Sequence, residues 1–456
     1  MRQNYLFPYK KINEIISFSE FKLEKELSVV SIDGEDYVDL RDINNLIINK
    51  GIKYSFSKIN DKSNTKEFSQ SRIIKQNGYK IIDLFCGAGG SSSGFRLAGF
   101  EIVGAMDINK AAVDTHELNF RSCKTVLGDI VEINPKEFAN KLDDQNIDVI
   151  IGSPPCQTFS SLSQGKIKSL GQDIKKDIRN YYYKNYLDYV SYFKPKVFLM
   201  ENVPGFMTKY GGSLFYDFLE YLASNHPEYE VKYKILEASN YGVPQNRKRL
   251  FVCGYLKGID FSFPEKNTAF FADNDKKVTV SEAIIDLPNI TDNWRLDKMP
   301  YSKNSELTQY QKFMRSDLES VTNNICRVSN PKAKVMFSLL KPGQRYIELL
   351  EEEKEKVYLF DTFNSSVIEG RCRRLPLDEV AWTIIAHIGM DGYEYIHPVE
   401  ERTLSVREAA RLQSFTDDFV FSGNMREQYV QVGNAVPPLM SYSIARVINE
   451  SLNRYL

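Results

Sequence analysis

From Tyr79 to Gly254 the sequence alternates between strand-like and helix-like patterns. Strand-like runs fall at 80–85, 101–107, 124–127, 147–151, 197–200, 229–236 and 250–254. Between most of them apolar residues recur at helical spacing, at 90–98, 110–119, 180–193 and 214–224. Strand, helix and strand in succession close into a parallel sheet, because the crossover brings the chain back to run in the same direction. The pattern predicts an α/β fold built on a doubly wound, mostly parallel sheet. Sheets of this kind hold ligands in the crevice beyond the carboxyl ends of their strands, so the residues that leave each strand are the ones to read for chemistry.

The flanking segments read differently. Residues 1–78 look like an N-terminal accessory extension. Val29–Ile32 and Tyr37–Leu40 bracket Asp33-Gly34, a pair suited to a type I′ hairpin turn. From Ser55 to Gly78 the chain has the Ser, Asn and Lys content of a linker. The alternating segment, 79–254, forms the first domain. Residues 255–370 are polar and irregular and read as a second, smaller domain. Order returns in 371–456, where Ser405-x-x-Glu408 forms a capping box ahead of Ala409–Leu412 and residues 437–452 read as a closing helix.

Composition narrows the class. With 456 residues and 42% hydrophobic content the chain can bury a large core and fill two or three domains. No apolar run is long enough to span a membrane, and Met1-Arg2-Gln3-Asn4 lacks a signal-peptide core. The six cysteines (Cys86, Cys123, Cys156, Cys253, Cys326, Cys372) are scattered without a CxxC pair, which suits a reducing compartment. None of the four histidines pairs with a cysteine at metal-ligand spacing, so no metal site is expected. The formal net charge of -1 leaves nucleic-acid binding to local basic stretches.

Two ends of the sheet carry candidate chemistry. Asp83-Leu84-Phe85-Cys86-Gly87-Ala88-Gly89-Gly90 joins the first strand to the first helix, where glycines admit a ligand and the helix offers free N–H groups. Ser92 stands in place of the third glycine of G-x-G-x-x-G, so an adenosyl ligand smaller than a dinucleotide is expected. Asp107 ends the second strand and can accept the ribose hydroxyl protons; Asp129 ends the third, beside the adenine. A structural turn would use the glycines equally well, but the ordered set points to S-adenosyl-L-methionine. At the other end, Gly152-Ser153-Pro154-Pro155-Cys156-Gln157 follows a buried strand, and its prolines stiffen the chain where Cys156 would be aimed into the crevice. Alone it is a half-buried cysteine in a Pro-rich turn. Glu201 ends the next strand, and Gln245-Asn246-Arg247-Lys248-Arg249 sets Arg247 and Arg249 on one side of an extended segment. Glu201 and the arginines could equally form a surface ion pair. A thiol, a carboxylate and guanidinium groups beside an adenosyl site suit methylation of cytosine C5. A thiolate adding to C6 makes C5 nucleophilic, and an acid at N3 takes up the developing charge.

With these segments in hand, the chain resembles a DNA (cytosine-5)-methyltransferase. The matching runs stand in that family's order: DLFCGAGGSSSGF (83–95), Asp107, GDI (128–130), GSPPCQTFS (152–160), ENVPGF (201–206), QNRKRLFV (245–252), RRLPLDEVAWTI (373–384), LSVREAARLQSF (404–415) and QVGNAVPP (431–438). They cover most of 79–450 and leave out 1–78 and 255–370. The resemblance implies an S-adenosylmethionine-dependent methyltransferase fold with Cys156 as nucleophile, Glu201 as the N3 partner, and Arg247 and Arg249 assisting. It implies that Phe85, Gly87, Gly89, Asp107, Asp129, Pro155 and Asn434 line the cofactor site, although Phe85 would serve equally as a core aromatic. It implies DNA contacts from Gln157, Ser160, Arg179 and Gln245, with 160–179 closing over the DNA as a Lys-rich lid. Residues 255–370 correspond to a target-recognition domain, and 371–456 returns to the catalytic domain of 79–254. The 1–78 extension is as readily structural as an extra DNA contact. Asn323-Asn324 departs from the family's Asn-His, outside the catalytic set.

The expected activity is sequence-specific transfer of a methyl group from S-adenosyl-L-methionine to C5 of a cytosine flipped out of double-stranded DNA, through a covalent Cys156–C6 intermediate. A bacterial, nucleoid-associated cytoplasmic monomer is expected, with a cognate restriction endonuclease as a partner if it serves a restriction-modification system. A tRNA cytosine-5 methyltransferase shares the Pro-Pro-Cys site, and the long insert argues against it. A catalytically inert DNA-binding relative should have lost Cys156, Glu201 or the Gln-x-Arg-x-Arg run, and all three stand. The G-x-G-G spacing disfavours a NAD-dependent oxidoreductase.

Overall fold

The computed structural model describes residues 75–155, 181–266, 276–290, 298–301, 306–327, 329, 331–351, 354 and 371–455, together with the backbone of three strands before residue 40. The chain divides into two compact units, 1–61 and 62–456. In the first, β1 (Leu6–Pro8), β2 (Val29–Ile32) and β3 (Glu35–Asp39) form an antiparallel sheet in the order β1-β3-β2. Ile32 pairs with Glu35, so β2 and β3 form an antiparallel pair where the sequence predicts a hairpin; Asp33 and Gly34 lie outside the described residues. β1, only three residues long and ending in Pro8, carries no strand signal that sequence reading would detect.

The second unit is built on a sheet of seven strands. In chain order these are β4 (Lys80–Leu84), β5 (Glu101–Asp107), β6 (Lys124–Leu127), β7 (Val149–Gly152), β8 (Val197–Asn202), β9 (Tyr229–Glu237) and, after the two-residue β10 (Gln245–Asn246), β11 (Lys248–Leu256). Their order across the sheet is β6-β5-β4-β7-β8-β11-β9. The first five pair in parallel, and β11 runs antiparallel between β8 and β9. The expected doubly wound, mostly parallel sheet is the one observed. The chain winds outward from β4 to β6, then returns to β7 and winds the other way, so the topological switch point lies between β4 and β7.

Alternating side chains send each strand's residues to two cores. Ile81, Val149, Ile151, Val197 and Leu199 pack on one face with Phe95 of α1 (Gly90–Leu97) and with Leu439, Ile444 and Ile448 of α12 (Pro438–Tyr455). Ile82, Leu84, Ile150, Phe198 and Met200 pack on the other with Tyr186 and Val190 of α4 (Tyr182–Phe193) and Phe218 and Leu222 of α6 (Ser213–Asn225). A Cβ on Gly94 would stand 2.5 Å from Pro438 O, so α1 and α12 approach as closely as backbones allow. β7 starts two residues later than its apolar run suggests. Asp148 accepts from the Lys80 amide at 2.9 Å and from Lys196 Nζ at 2.7 Å, which anchors the strand's entry instead of extending its ladder. Between these elements lie α2 (Lys110–Asn119), α3 (Pro135–Ala139) and α5 (Gly205–Thr208).

Beyond β11 the described residues are more ordered than their composition predicts. α7 (Val280–Ile284), α8 (Gln309–Arg315) and α9 (Pro331–Leu339) are helical, and β12 (Lys298–Pro300) pairs with β13 (Ser320–Thr322). These short elements stand among otherwise irregular residues. The first two helices are too short for periodicity to reveal, but Thr279 with Glu282 and Thr308 with Gln311 close capping boxes at their starts. Further on, β14 (Ala381–Trp382) runs parallel beside β10. α10 (Val406–Leu412) begins at the predicted Ser405–Glu408 box, α11 (Met425–Asn434) follows, and α12 runs to Tyr455, three residues past the expected end. Among the described residues no helix is long and apolar enough to cross a membrane.

Candidate active site

At the switch point, the turn after β4 is held in conformations that few residues adopt. Phe85, Gly87 and Gly89 have φ of 58°, 52° and 100°. Glycine takes such values freely, whereas a bulky aromatic there is uncommon and marks a constrained site. The Gly87 amide donates to Asp107 Oδ2 at 2.8 Å, and the Asn109 amide donates to Oδ1 at 2.8 Å. The carboxylate at the end of β5 is thereby fixed against the glycine turn, and burial pushes its pKa up. A Cβ on Gly87 would meet nothing within 4 Å, so that side of the turn is open. The half-buried Phe85 ring lies 6.4 Å from Tyr182 at 18°, close to parallel.

The neighbouring strand end joins the same wall. The Gly128 amide donates to Asp107 O at 3.0 Å, and the half-buried Asp129 accepts from the Val131 amide at 2.9 Å. Around these two acids, Ile108 is 68% exposed and Val131 50%. Apolar side chains left bare beside ordered carboxylates suit a ligand with a flat apolar face and hydroxyl groups. Sequence reasoning passed over Ile108; its only signal is an apolar residue directly after a strand-ending acid. Asn434 is exposed at the end of α11. A Cβ on Gly90 would lie 2.3 Å from Val436 O, so the segment just after Asn434 presses on the first turn of α1.

Across the switch point, β7 runs into Ser153, whose amide donates to Leu84 O at 3.3 Å. Asn202, the last residue of β8, donates from Nδ2 to Pro154 O at 3.4 Å and holds the Pro-Pro turn in place. Pro155 is half-buried. Cys156, Gln157, Ser160 and Arg179, with the segment 160–179 expected to act as a lid, lie outside the described residues.

Glu201 sits one residue before Asn202 and pairs with Arg249 of β11, Nε to Oε1, at 2.9 Å. Both side chains are largely buried, at 13% and 14% exposed, so this is no loose surface pair. The register sets Glu201 opposite Phe251, two residues along from Arg249, close enough for the guanidinium to reach back. Arg247 and Arg249 are not used alike. Arg247 is 1% exposed and donates to Ile384 O at 2.6 Å and Gly433 O at 3.1 Å. It ties the β10–β11 corner to the segments that follow β14 and end α11.

Gln245, expected among the DNA contacts, requires correction. It is fully buried; Nε2 donates to Leu412 O at 3.0 Å and Gln413 Oε1 at 3.1 Å, while Oε1 accepts from the Ile384 amide at 2.9 Å. Its amide is occupied inside the protein. Cys86, Cys123, Cys253, Cys326 and Cys372 are free and buried, and among the described residues no cluster of His, Cys, Asp and Glu could hold a metal ion.

Comparison with known proteins converges on one family. A family model described as C-5 cytosine-specific DNA methylase matches residues 79–450. A protein of Oceanobacillus iheyensis assigned as type II methyltransferase M.OihORF3336P is 31% identical over 443 residues, covering 82% of this chain and 96% of that one. Type II methyltransferase M.AgeI of Thalassovita gelatinovora is 29% identical over 439 residues, covering 82% and 100%. Among solved structures, a prophage-encoded E. coli protein assigned as a DNA modification methyltransferase superposes with a TM-score of 0.64 at 26% identity, over 82% of this chain and all of that one.

Proposed function

The chain belongs to the C-5 cytosine-specific DNA methylases, and from that premise we propose that Cys156, Glu201 and Arg249 form its reaction centre on double-stranded DNA. The observation that carries this reading is the buried Glu201–Arg249 pair at the carboxyl end of β8, one strand from the Pro-Pro turn that leads into Cys156. A flipped cytosine meets these groups because its faces are covered while it is stacked. Cys156 Sγ bonds to C6, and Glu201 supplies the proton that N3 takes up. Arg249 holds Oε1 and leaves Oε2 to the base edge. After C5 is methylated, a water molecule takes the C5 proton, the C6–S bond breaks to release the Cys156 thiolate, and N3 returns its proton to Glu201 as the ring is restored. Arg247 supports the corner on which Arg249 is mounted.

The turn after β4 fits an adenosyl group. Gly87 is open on one side, Asp107 is already oriented with lone pairs to spare, and Ile108 offers a bare apolar surface. Phe85, Gly87, Gly89, Asp107, Asp129, Pro155 and Asn434 would hold S-adenosylmethionine there. When bound, it supplies an electrophilic methyl group.

In this reading 79–254 and 371–456 make up the catalytic domain, 255–370 reads the target sequence, Gln157, Ser160 and Arg179 contact DNA, and 1–78 is accessory. The similarity to type II methyltransferases supports a restriction-modification role, with an endonuclease acting on the same site; in this reading the chain works as a nucleoid-associated monomer. Bisulfite mapping of DNA from cells expressing the chain tests the proposal. C5-methylcytosine confined to one short motif is expected, lost with Cys156→Ala; methylation that survives this substitution would overturn the assigned nucleophile.

A further inference from the structure

Four buried polar side chains form a continuous chain on the α1 face of the sheet. They are Asp83 of β4, Ser92 of α1, His116 of α2 and Thr125 of β6, exposed by 2%, 0%, 0% and 8%. Ser92 Oγ lies 2.6 Å from Asp83 Oδ2 and 3.1 Å from His116 Nε2. His116 Nδ1 lies 2.8 Å from Thr125 Oγ1, which stands 3.9 Å from Cys123 Sγ. Each link joins a different element, and those elements carry Phe85, Gly87, Gly89 and Asp129 at their ends. The imidazole stacks on Phe120 at 4.4 Å, and a Cβ on Gly89 would fall 2.5 Å from Phe120 Cε2 and 3.0 Å from His116 Cδ2. The ring pair is thus the wall on which the glycine turn rests.

Such a chain has only two self-consistent directions. An ionised Asp83 can only accept, so Ser92 donates to it, His116 donates from Nε2 to Ser92, and Thr125 donates to Nδ1. A neutral Asp83 donates instead, and every link reverses: Ser92 donates to Nε2, and Nδ1 donates to Thr125. We propose that Asp83, Ser92, His116 and Thr125 are positioning residues for the cofactor turn, and that one proton on Asp83 sets the direction of the chain and the tautomer of His116. The inference rests on the reading of this turn as the cofactor site.

The surroundings favour both states near neutrality. Burial pushes Asp83 up to about 7, opposed by the Ser92 hydroxyl and reinforced by Asp107 of β5. Burial, with Arg96 of α1 nearby, pushes His116 down to about 3 and keeps the ring neutral while Asp83 titrates. The other titratable groups facing Asp83 are Cys86, Cys123 and Tyr186 of α4, all raised by burial and therefore neutral at that pH. Glu117 of α2 is exposed. Ala105 and Ile151, beside Asp83 in β5 and β7, carry no charge.

Nitrogen NMR of the full-length protein, labelled at its histidine rings, tests this directly. The His116 signals, identified by their loss in His116→Gln, should change from an Nδ1–H to an Nε2–H pattern in one step as pH rises through about 7. Ser92→Ala or, if that variant does not fold, Thr125→Val should abolish the step. A single tautomer throughout in the wild-type protein overturns the chain. Saturating S-adenosylhomocysteine should move the midpoint. By reciprocity an affinity difference of about fivefold between the two states shifts it by about 0.7 pH unit. Binding in calorimetry without a shift overturns the positioning role. Absence of binding would instead refute the cofactor reading, while the ligand-free titration still decides the chain.

Discussion

Glu201 and Arg249 show how little of a reactive group's setting is local. The carboxylate is fixed by a guanidinium 48 residues away in sequence, brought opposite by an antiparallel strand and buried with it. If Glu201 supplies the proton at N3, Glu201→Gln keeps the shape and removes the acid. We expect kcat to fall by about 10²–10⁴-fold, the usual worth of general acid catalysis, with cofactor affinity unchanged. Single-turnover methyl transfer and calorimetry measure the two separately; a loss confined to cofactor binding would remove Glu201 from the reaction. Other residues in the same run have partners that no local pattern reveals. Gln245 and Arg247 bond to Leu412, Ile384 and Gly433, which lie 137 to 186 residues on. No periodicity signals a hydrogen bond over that span. Asp107 and Gly87, by contrast, were legible because a strand end and a glycine turn are both local features.

At the scale of elements, α10 is a helix whose charged residues face inward. Glu408 accepts from Arg402 at 2.6 and 2.8 Å and from the Ser405 amide at 2.7 Å. Arg411 reaches Asp417 at 2.5 Å and Asp286 at 3.0 Å, and Arg315 of α8 meets Asp286 at 2.6 Å. These pairs tie the segment after β11 to α10. Burial alone would raise Glu408, but the Arg402 guanidinium outweighs it and holds the carboxyl at about 2. A depressed carboxyl stabilises the fold fully above its ordinary range near 4.5, and that contribution is lost as pH falls toward 2. Glu408→Gln leaves Arg402 its pair with Glu400 but removes the buried charge it reaches at 2.6 Å, and should cost about 1–3 kcal/mol at neutral pH. In urea unfolding across a pH series, its deficit against wild type should shrink below about 4.5; a deficit constant with pH would assign the loss to packing. The sheet strands were readable as continuous apolar runs, whereas the short α7 and α8 announced themselves only through their caps.

For the molecule as a whole, the strand order puts the turn after β4 and the turn after β7 on either side of one crevice, and the chain leaves the sheet between β11 and α10. The inserted segment packs Val280, Ile284 and Met314 into the core of the sheet and pairs Asp286 with Arg411, so an exchange must keep those contacts. Exchanging 255–370 for the matching segment of a relative should change the methylated motif, because each bidentate base contact discriminates by about 1–3 kcal/mol. Deleting residues 1–75 should weaken DNA binding at most. A motif altered by the deletion and unchanged by an active exchange would move recognition to the N-terminal unit.

Duplex DNA with 5-fluorocytosine at the mapped site tests covalent attack by Cys156 on the target cytosine most directly. Fluorine at C5 cannot leave as a proton does, so the thioether at C6 should persist. With cofactor present, a denaturation-resistant protein–DNA adduct is predicted, its crosslinked peptide containing Cys156, and none should form with Cys156→Ala. An enzyme that methylates ordinary DNA yet forms no adduct, or forms it at another residue, would contradict the mechanism.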